Sequence, residues 1–149
     1  MRAVVQRVSQ ACVSVEGRAI GKIERGLLIL LGAAQNDGLK DVQYMRDKTA
    51  HLRVFPDHEG RMNLSLIDIA GSALVVPQFT LLGDGRKGRR PNYMKAAAPD
   101  DALNLYRQYV KELRGMEIHV ETGQFGAMME VSLVNDGPIT LLLDSRKQF

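Results

Sequence analysis

A mixed α/β fold is predicted for the 149-residue chain from three observations. Apolar and polar residues alternate from Ala3 to Val15, the two-residue period of a half-buried strand. Two later segments, Asn36–Leu52 and Pro99–Gly115, carry apolar residues at helical spacing. Strand-like sequence surrounds and separates them, so strands lead, helices intervene and strands close. The length suits one domain over residues 1–149.

Each element has a local reason. Ala3–Val15 reads as one or two strands, and Arg18–Glu24 and Leu27–Ala33 continue them after turn signals at Glu16-Gly17 and Arg25-Gly26. Asn36-Asp37-Gly38 opens a helix with Leu39, Val42, Met45, Thr49 and Leu52 on one face. A short strand follows at Arg53–Phe55, then a turn at Pro56–Gly60. Ser72–Leu82 reads as one strongly apolar strand. Pro99 suits a first helical position, Asp100 and Asp101 suit the positive end of the helix dipole, and Gly115 closes the helix. Its buried stripe is Ala102, Leu103, Tyr106, Tyr109, Val110 and Leu113. Glu117–Val120 and Met128–Leu143 return to strand.

Composition excludes several classes. With 45% apolar and 25% charged residues, the chain is neither disordered nor fibrous. One cysteine cannot build a disulfide framework or a Cys-rich zinc site, and points to a reducing compartment. The longest apolar run, Leu27–Leu31, is far below the roughly 18 residues of a membrane span. The first residues alternate as a strand does and do not resemble a signal peptide, so a cytoplasmic protein is expected.

The net charge of +3 is unevenly placed. Arg86, Lys87, Arg89, Arg90 and Lys95 lie between Gly83 and Lys95 with Asp84 as the one acid, a local charge of +4; the other residues together carry −1. Such a stretch is either a solvated loop or a footprint for a polyanion.

Familiar catalytic patterns fail on context. Gly83–Gly88 matches G-x-G-x-x-G, but Pro91 follows where a dinucleotide site needs a helix to begin. His51, His58 and His119 lack metal-ligand spacing, and Cys12 sits in an alternating strand as a structural thiol. Neither a G-x-S-x-G elbow nor a phosphate-binding P-loop is present. No metal and no cofactor are expected.

Two segments stand out. Pro77-Gln78-Phe79-Thr80-Leu81 immediately precedes the basic loop. Asn135-Asp136-Gly137-Pro138-Ile139-Thr140 stands between the apolar runs Val131–Val134 and Leu141–Leu143. Its local reading is a hairpin turn; a proline inside a strand pattern otherwise marks an edge, a bulge or a cis bond.

Together with Met1–Val8, Arg61–Leu66, Lys87–Pro91 and Thr122–Met129, these motifs make the chain resemble the D-aminoacyl-tRNA deacylases almost end to end. The resemblance implies two packed β layers of mixed strands with two helices on one side. It implies a homodimer that removes D-amino acids from tRNA, with neither DNA nor a membrane as partner. Gln78, Phe79 and Thr80 would form the catalytic floor. Gly137 and Pro138 would project as a cis pair into the partner's site and exclude L side chains, leaving glycyl-tRNA as a further substrate. Pro77, Asn135, Phe125 and Met129 would line the substrate site, and Arg86, Lys87, Arg89, Arg90 and Lys95 would meet tRNA phosphates. Pro77 departs from the serine usual in the main branch of that family. This puts a hydroxyl and one backbone N–H in question. Neither motif contains a base for Thr80, so backbone amides and the RNA itself would carry the reaction. The principal rival is a non-catalytic RNA-binding module, which the basic loop alone would support. Against it stand the 5% aromatic content and the lack of an RRM signature.

Overall fold

The computed structural model describes residues 1–149. Its elements in chain order are β1 (Arg2–Val15), β2 (Arg18–Ile23), β3 (Gly26–Gly32), α1 (Leu39–His51), β4 (Phe55–Pro56), β5 (Met62–Leu64), β6 (Ser72–Pro77), a 3-10 turn (Phe79–Leu82), α2 (Pro99–Gly115), β7 (His119–Thr122) and β8 (Glu130–Asp144). β1 organises the sheet. It pairs antiparallel with β3 through Arg2–Val8, with β2 through Ala11–Val15, and with β8 along nearly its whole length. β3, β6 and β7 then run parallel to one another.

The apolar runs of β3 and β6 are continuous because both faces of these strands are covered. Leu27, Ile29, Leu31, Ala73 and Val75 face Val42 and Met45 of α1 and Tyr106, Tyr109 and Leu113 of α2. Leu28, Leu74 and Val76 face the opposite way and pack on Val8, Ala11, Val13 and Ile23 of β1 and β2. β2 therefore lies across the sheet as a second layer. At Gly21 an added Cβ would stand 3.0 Å from the Thr122 carbonyl oxygen and 3.2 Å from Leu74 Cδ1, so this crossing is close and favours glycine. The two β layers with both helices on one side agree with the expected fold. The buried hydroxyls of Thr49 and Tyr109, 2.8 Å apart, tie α1 to α2.

β1 reaches both layers because it bulges. Ser9 has no counterpart on β8 and separates Ala3 and Val5, in the helix-side core, from Ala11 and Val13, in the other.

Four details differ from the sequence expectation. The strand over Ser72–Leu82 stops at Pro77, where its neighbour β3 also ends, and the apolar residues beyond it form the 3-10 turn. The short strand lies at Phe55–Pro56, because it pairs with Met62–Leu64, which no periodicity marks. Leu39 is exposed at the first helical position. Asn135–Pro138 is not a hairpin turn, because the chain on both sides of it pairs with the same strand, β1.

Candidate active site

The first motif sits where the parallel strands end. Pro77 is opposite Leu31, and the Gln78 amide donates to the Leu31 carbonyl at 2.7 Å. Successive amides of a strand point to opposite sides, so the missing N–H of Pro77 falls on the β7 side. There the paired register ends at Val75 and Thr122, so Pro77 stands at the end of the ladder. The chain then tightens into the 3-10 turn, with Leu81 N–H donating to Gln78 O at 3.3 Å and Gly83 N–H to Thr80 O at 2.9 Å. The amides of Phe79 and Thr80 open this turn and so have no partner within it.

The side chains around these amides are polar and open. Gln78 Nε2 donates to Thr80 Oγ1. Phe79 is exposed and meets Tyr93 edge-on, ring centroids 5.2 Å apart. A narrow pocket runs beneath, bounded by Pro77, Gln78, Phe79, Tyr106 and Phe125. The buried Tyr106 hydroxyl donates to Val75 O at 2.8 Å, and burial pushes its phenol well above the usual range, so it stays a neutral donor. Gly123 N–H donates to Val75 O at 2.9 Å, and Met129 Sδ accepts from Gln124 N–H at 3.3 Å; Met129 packs on the core of the second β layer and does not line this pocket. Glycine at position 123 makes room, since a Cβ there would be 2.9 Å from Met129 Sδ and 3.2 Å from Pro77 Cδ.

No histidine or carboxylate bonds to Thr80. His119 pairs with Ser72 at the far end of β6 and lies 3.0 Å from Glu121. His58 stands in the β4–β5 turn and His51 ends α1. No cluster of three or more His, Cys, Asp or Glu side chains is gathered to hold a metal ion.

The second motif is a four-residue excursion inside β8. Between the pairs Gln6–Thr140 and Val8–Asn135, Arg7 alone on β1 opposes residues 136–139. The Gly137–Pro138 bond is cis and Gly137 has φ +127°, a conformation that L side chains rarely adopt. Asn135 closes the neck of the excursion by donating from Nδ2 to Arg7 O and to Ile139 O, both at 2.9 Å. Its Oδ1 accepts from Thr140 Oγ1 at 3.2 Å.

Arg7, which the sequence reading passed over, holds the excursion from inside. Its guanidinium donates to Val54 O at 2.6 Å and to Asp136 O at 3.2 Å, and pairs with the Asp136 carboxylate at 3.0 Å. The signal was present: Arg7 occupies the inward phase of the alternation that includes Ala3 and Val5. It is 8% exposed.

The two motifs do not meet within one copy. Gly137 and Pro138 lie across from Arg7, which pairs with Leu27, whereas Gln78 follows the residue paired with Leu31. Four strand residues separate these positions, about 13 Å along the sheet.

The basic segment is an exposed loop between the 3-10 turn and α2. Asp84 and Asn92 bridge its base through two amide hydrogen bonds of 2.8 and 2.9 Å. Arg86 is turned onto the Asp84 carboxylate, and its hydrogen bonds hold that acid well below the usual range. Lys87, Arg89, Arg90 and Lys95 are exposed and have no acidic partner.

The architecture places the protein among α/β folds with a curled second β layer. A solved structure named c-Myc DNA Unwinding Element Binding Protein superposes with a TM-score of 0.91 at 38% identity, over 97% of this chain and 98% of the other. A probable eukaryotic D-amino acid tRNA deacylase superposes with a TM-score of 0.79 over 95% and 97%; at 19% identity it speaks for the fold alone. The family described as D-Tyr-tRNA(Tyr) deacylase matches residues 4–144, and the chain belongs to it. D-aminoacyl-tRNA deacylases from Thermosipho africanus and Thermus aquaticus are 57% and 55% identical, the first over all of both chains, the second over 99% of this chain and 97% of its own.

Proposed function

We propose that the protein hydrolyses the ester of D-aminoacyl-tRNA, releasing tRNA and the amino acid, as a cytoplasmic homodimer of single-domain subunits without a cofactor. The observation that carries this reading is the pair of amides at Phe79 and Thr80, free within a turn whose first residues, Gln78 and Phe79, bound the narrow pocket. An ester is already activated. Backbone donors aimed at the developing oxyanion therefore supply the help that matters, with the ribose 2′-hydroxyl or a water as nucleophile. Gln78 and Phe79 position the aminoacyl-adenosine end, beside Pro77, Phe125 and Met129. Incubation with D-tyrosyl-tRNA and L-tyrosyl-tRNA tests this directly: ester loss from the D form alone supports it, and binding without hydrolysis favours the RNA-binding module.

Selection against L-amino acids belongs to Gly137 and Pro138 of the second subunit. The strongest support is the separation of the two motifs within one copy. β8 has a long edge beyond β1, with Val134 and Leu142 exposed on it, a surface suited to a second copy. Inserted over the floor, the pair would occupy the space an L side chain needs, so specificity comes from exclusion. Asn135 and Arg7 fix its position. Glycine offers nothing to exclude, and glycyl-tRNA is therefore a substrate too.

Thr80 is a positioning group here and not the nucleophile. Thr80→Ala is expected to reduce kcat/KM less than ten-fold; a loss of a thousand-fold or more with tRNA binding intact would make the hydroxyl obligatory.

Arg86, Lys87, Arg89, Arg90 and Lys95 contact acceptor-stem phosphates, which gives affinity with little sequence preference. Arg89→Ala/Arg90→Ala is expected to reduce the slope of log K against log salt by about 2, measured by filter binding. An unchanged slope and unchanged affinity at low salt would remove the loop from the interface.

A further inference from the structure

A second basic surface lies next to the floor. Over its 17 residues α2 is neutral, with Arg107, Lys111 and Arg114 balancing Asp100, Asp101 and Glu112. Folding sorts these charges. The acids at positions 100 and 101 stand in the first turn, and Glu112 reaches across to Arg46 of α1. The three cations, at helical spacing i, i+4 and i+7, all line an open groove between α2 and the segment following β7. No acidic residue lines that groove, and none of the three is in an ion pair. Arg114 keeps its orientation by donating to Val120 O at 2.9 Å.

The groove adjoins the active-site pocket, since Tyr106 and Phe125 line both. From Arg107 to Arg114 the helix rises about 10 Å, a length over which a stacked strand carries about three phosphates. A row of cations beside a half-buried aromatic ring is the arrangement that receives single-stranded nucleic acid.

We infer that this groove binds the single-stranded RNA segment leading to the 3′-terminal nucleotide, with Arg107, Lys111 and Arg114 on its phosphates and Phe125 against a base. The inference rests on the function proposed above and adds a site to it. The basic loop holds the duplex, and the α2 groove holds the strand that enters the floor.

The test is fluorescence anisotropy with a labelled RNA minihelix bearing a four-nucleotide 3′ single strand, and the same helix made blunt. For Arg107→Ala/Lys111→Ala we expect about ten-fold weaker binding of the overhanging RNA at low salt and a salt slope smaller by about 1.4. Binding of the blunt helix should stay within two-fold. Arg18→Ala/Lys22→Ala, which removes two cations from β2, should also leave the overhanging RNA within two-fold; thermal unfolding of each variant checks the fold. Unchanged affinity for the overhanging RNA, an equal loss for the blunt helix, an equal loss in the β2 variant, or equal competition by poly-glutamate would each overturn the inference. The assay needs no ester, so a wild-type protein that binds the overhang but fails to hydrolyse D-tyrosyl-tRNA would contradict the proposed function and not the groove.

Discussion

Gly32→Ala is expected to lower hydrolysis of D-tyrosyl-tRNA by about 100-fold. The reason is a close approach of two backbones. A Cβ at position 32 would stand 2.6 Å from the Gln78 carbonyl oxygen and 2.7 Å from Leu82 Cδ2. The leucine tip can rotate, but the carbonyl is fixed because it accepts the Leu81 amide that closes the 3-10 turn. Relief therefore requires the turn to move, carrying the Phe79 and Thr80 amides with it. Displacements near 1 Å at a reacting centre cost about two orders of magnitude, whereas overpacking of this kind costs about 1–3 kcal/mol of stability. Steady-state kinetics and urea unfolding on the same preparation separate the two effects. Gly115→Ala, where nothing lies within 4 Å of an added Cβ, is the control. Near-wild-type activity in Gly32→Ala would detach the turn from the chemistry.

Arg7→Ala is expected to cost about 1–3 kcal/mol of stability and to raise hydrolysis of L-tyrosyl-tRNA at least ten-fold. Truncation leaves the Val54 carbonyl without its donor and frees Asp136, the first residue of the β8 excursion. Asn135 still closes the neck, so the excursion persists but no longer holds Gly137 and Pro138 in one place. A device that works by exclusion fails when its wall moves, and the failure shows as acceptance of the wrong substrate. Hydrolysis of the D form changes less, because the floor is elsewhere. A variant that keeps full discrimination would place the control of chirality outside this excursion.

How much was legible depended on the range of the interactions involved. α2 was readable end to end because its signals are local: Pro99 at the start, two acids in the first turn, a regular stripe and Gly115 at the close. The double-faced burial of β3 was visible in its unbroken apolar run. The end of β6 was not, since Phe79, Leu81 and Leu82 extend the apolar run while the partner strand that stops it is remote in sequence. Asn135–Pro138 has the composition of a turn. Only the fact that both flanks pair with β1 converts it into a bulge, and that fact is not local. The groove on α2 was hidden by arithmetic, because equal numbers of acids and bases cancel along the chain before folding separates them. The residues proposed as the floor were singled out through a family motif; their geometry came from the strand ends.

In the proposed dimer each site takes its floor from one subunit and its selectivity from the other. Mixing subunits measures this. Arg7→Ala subunits carry a sound floor and a loosened excursion, and Gly32→Ala subunits carry the reverse. After co-refolding Arg7→Ala with an excess of Gly32→Ala, nearly every sound floor faces a sound excursion across the dimer. L-tyrosyl-tRNA hydrolysis per Arg7→Ala subunit is expected to fall back towards the wild-type level while D-tyrosyl-tRNA hydrolysis persists. L-tyrosyl-tRNA hydrolysis that stays at the Arg7→Ala level in such verified mixed dimers would contradict it and place both functions within a single chain.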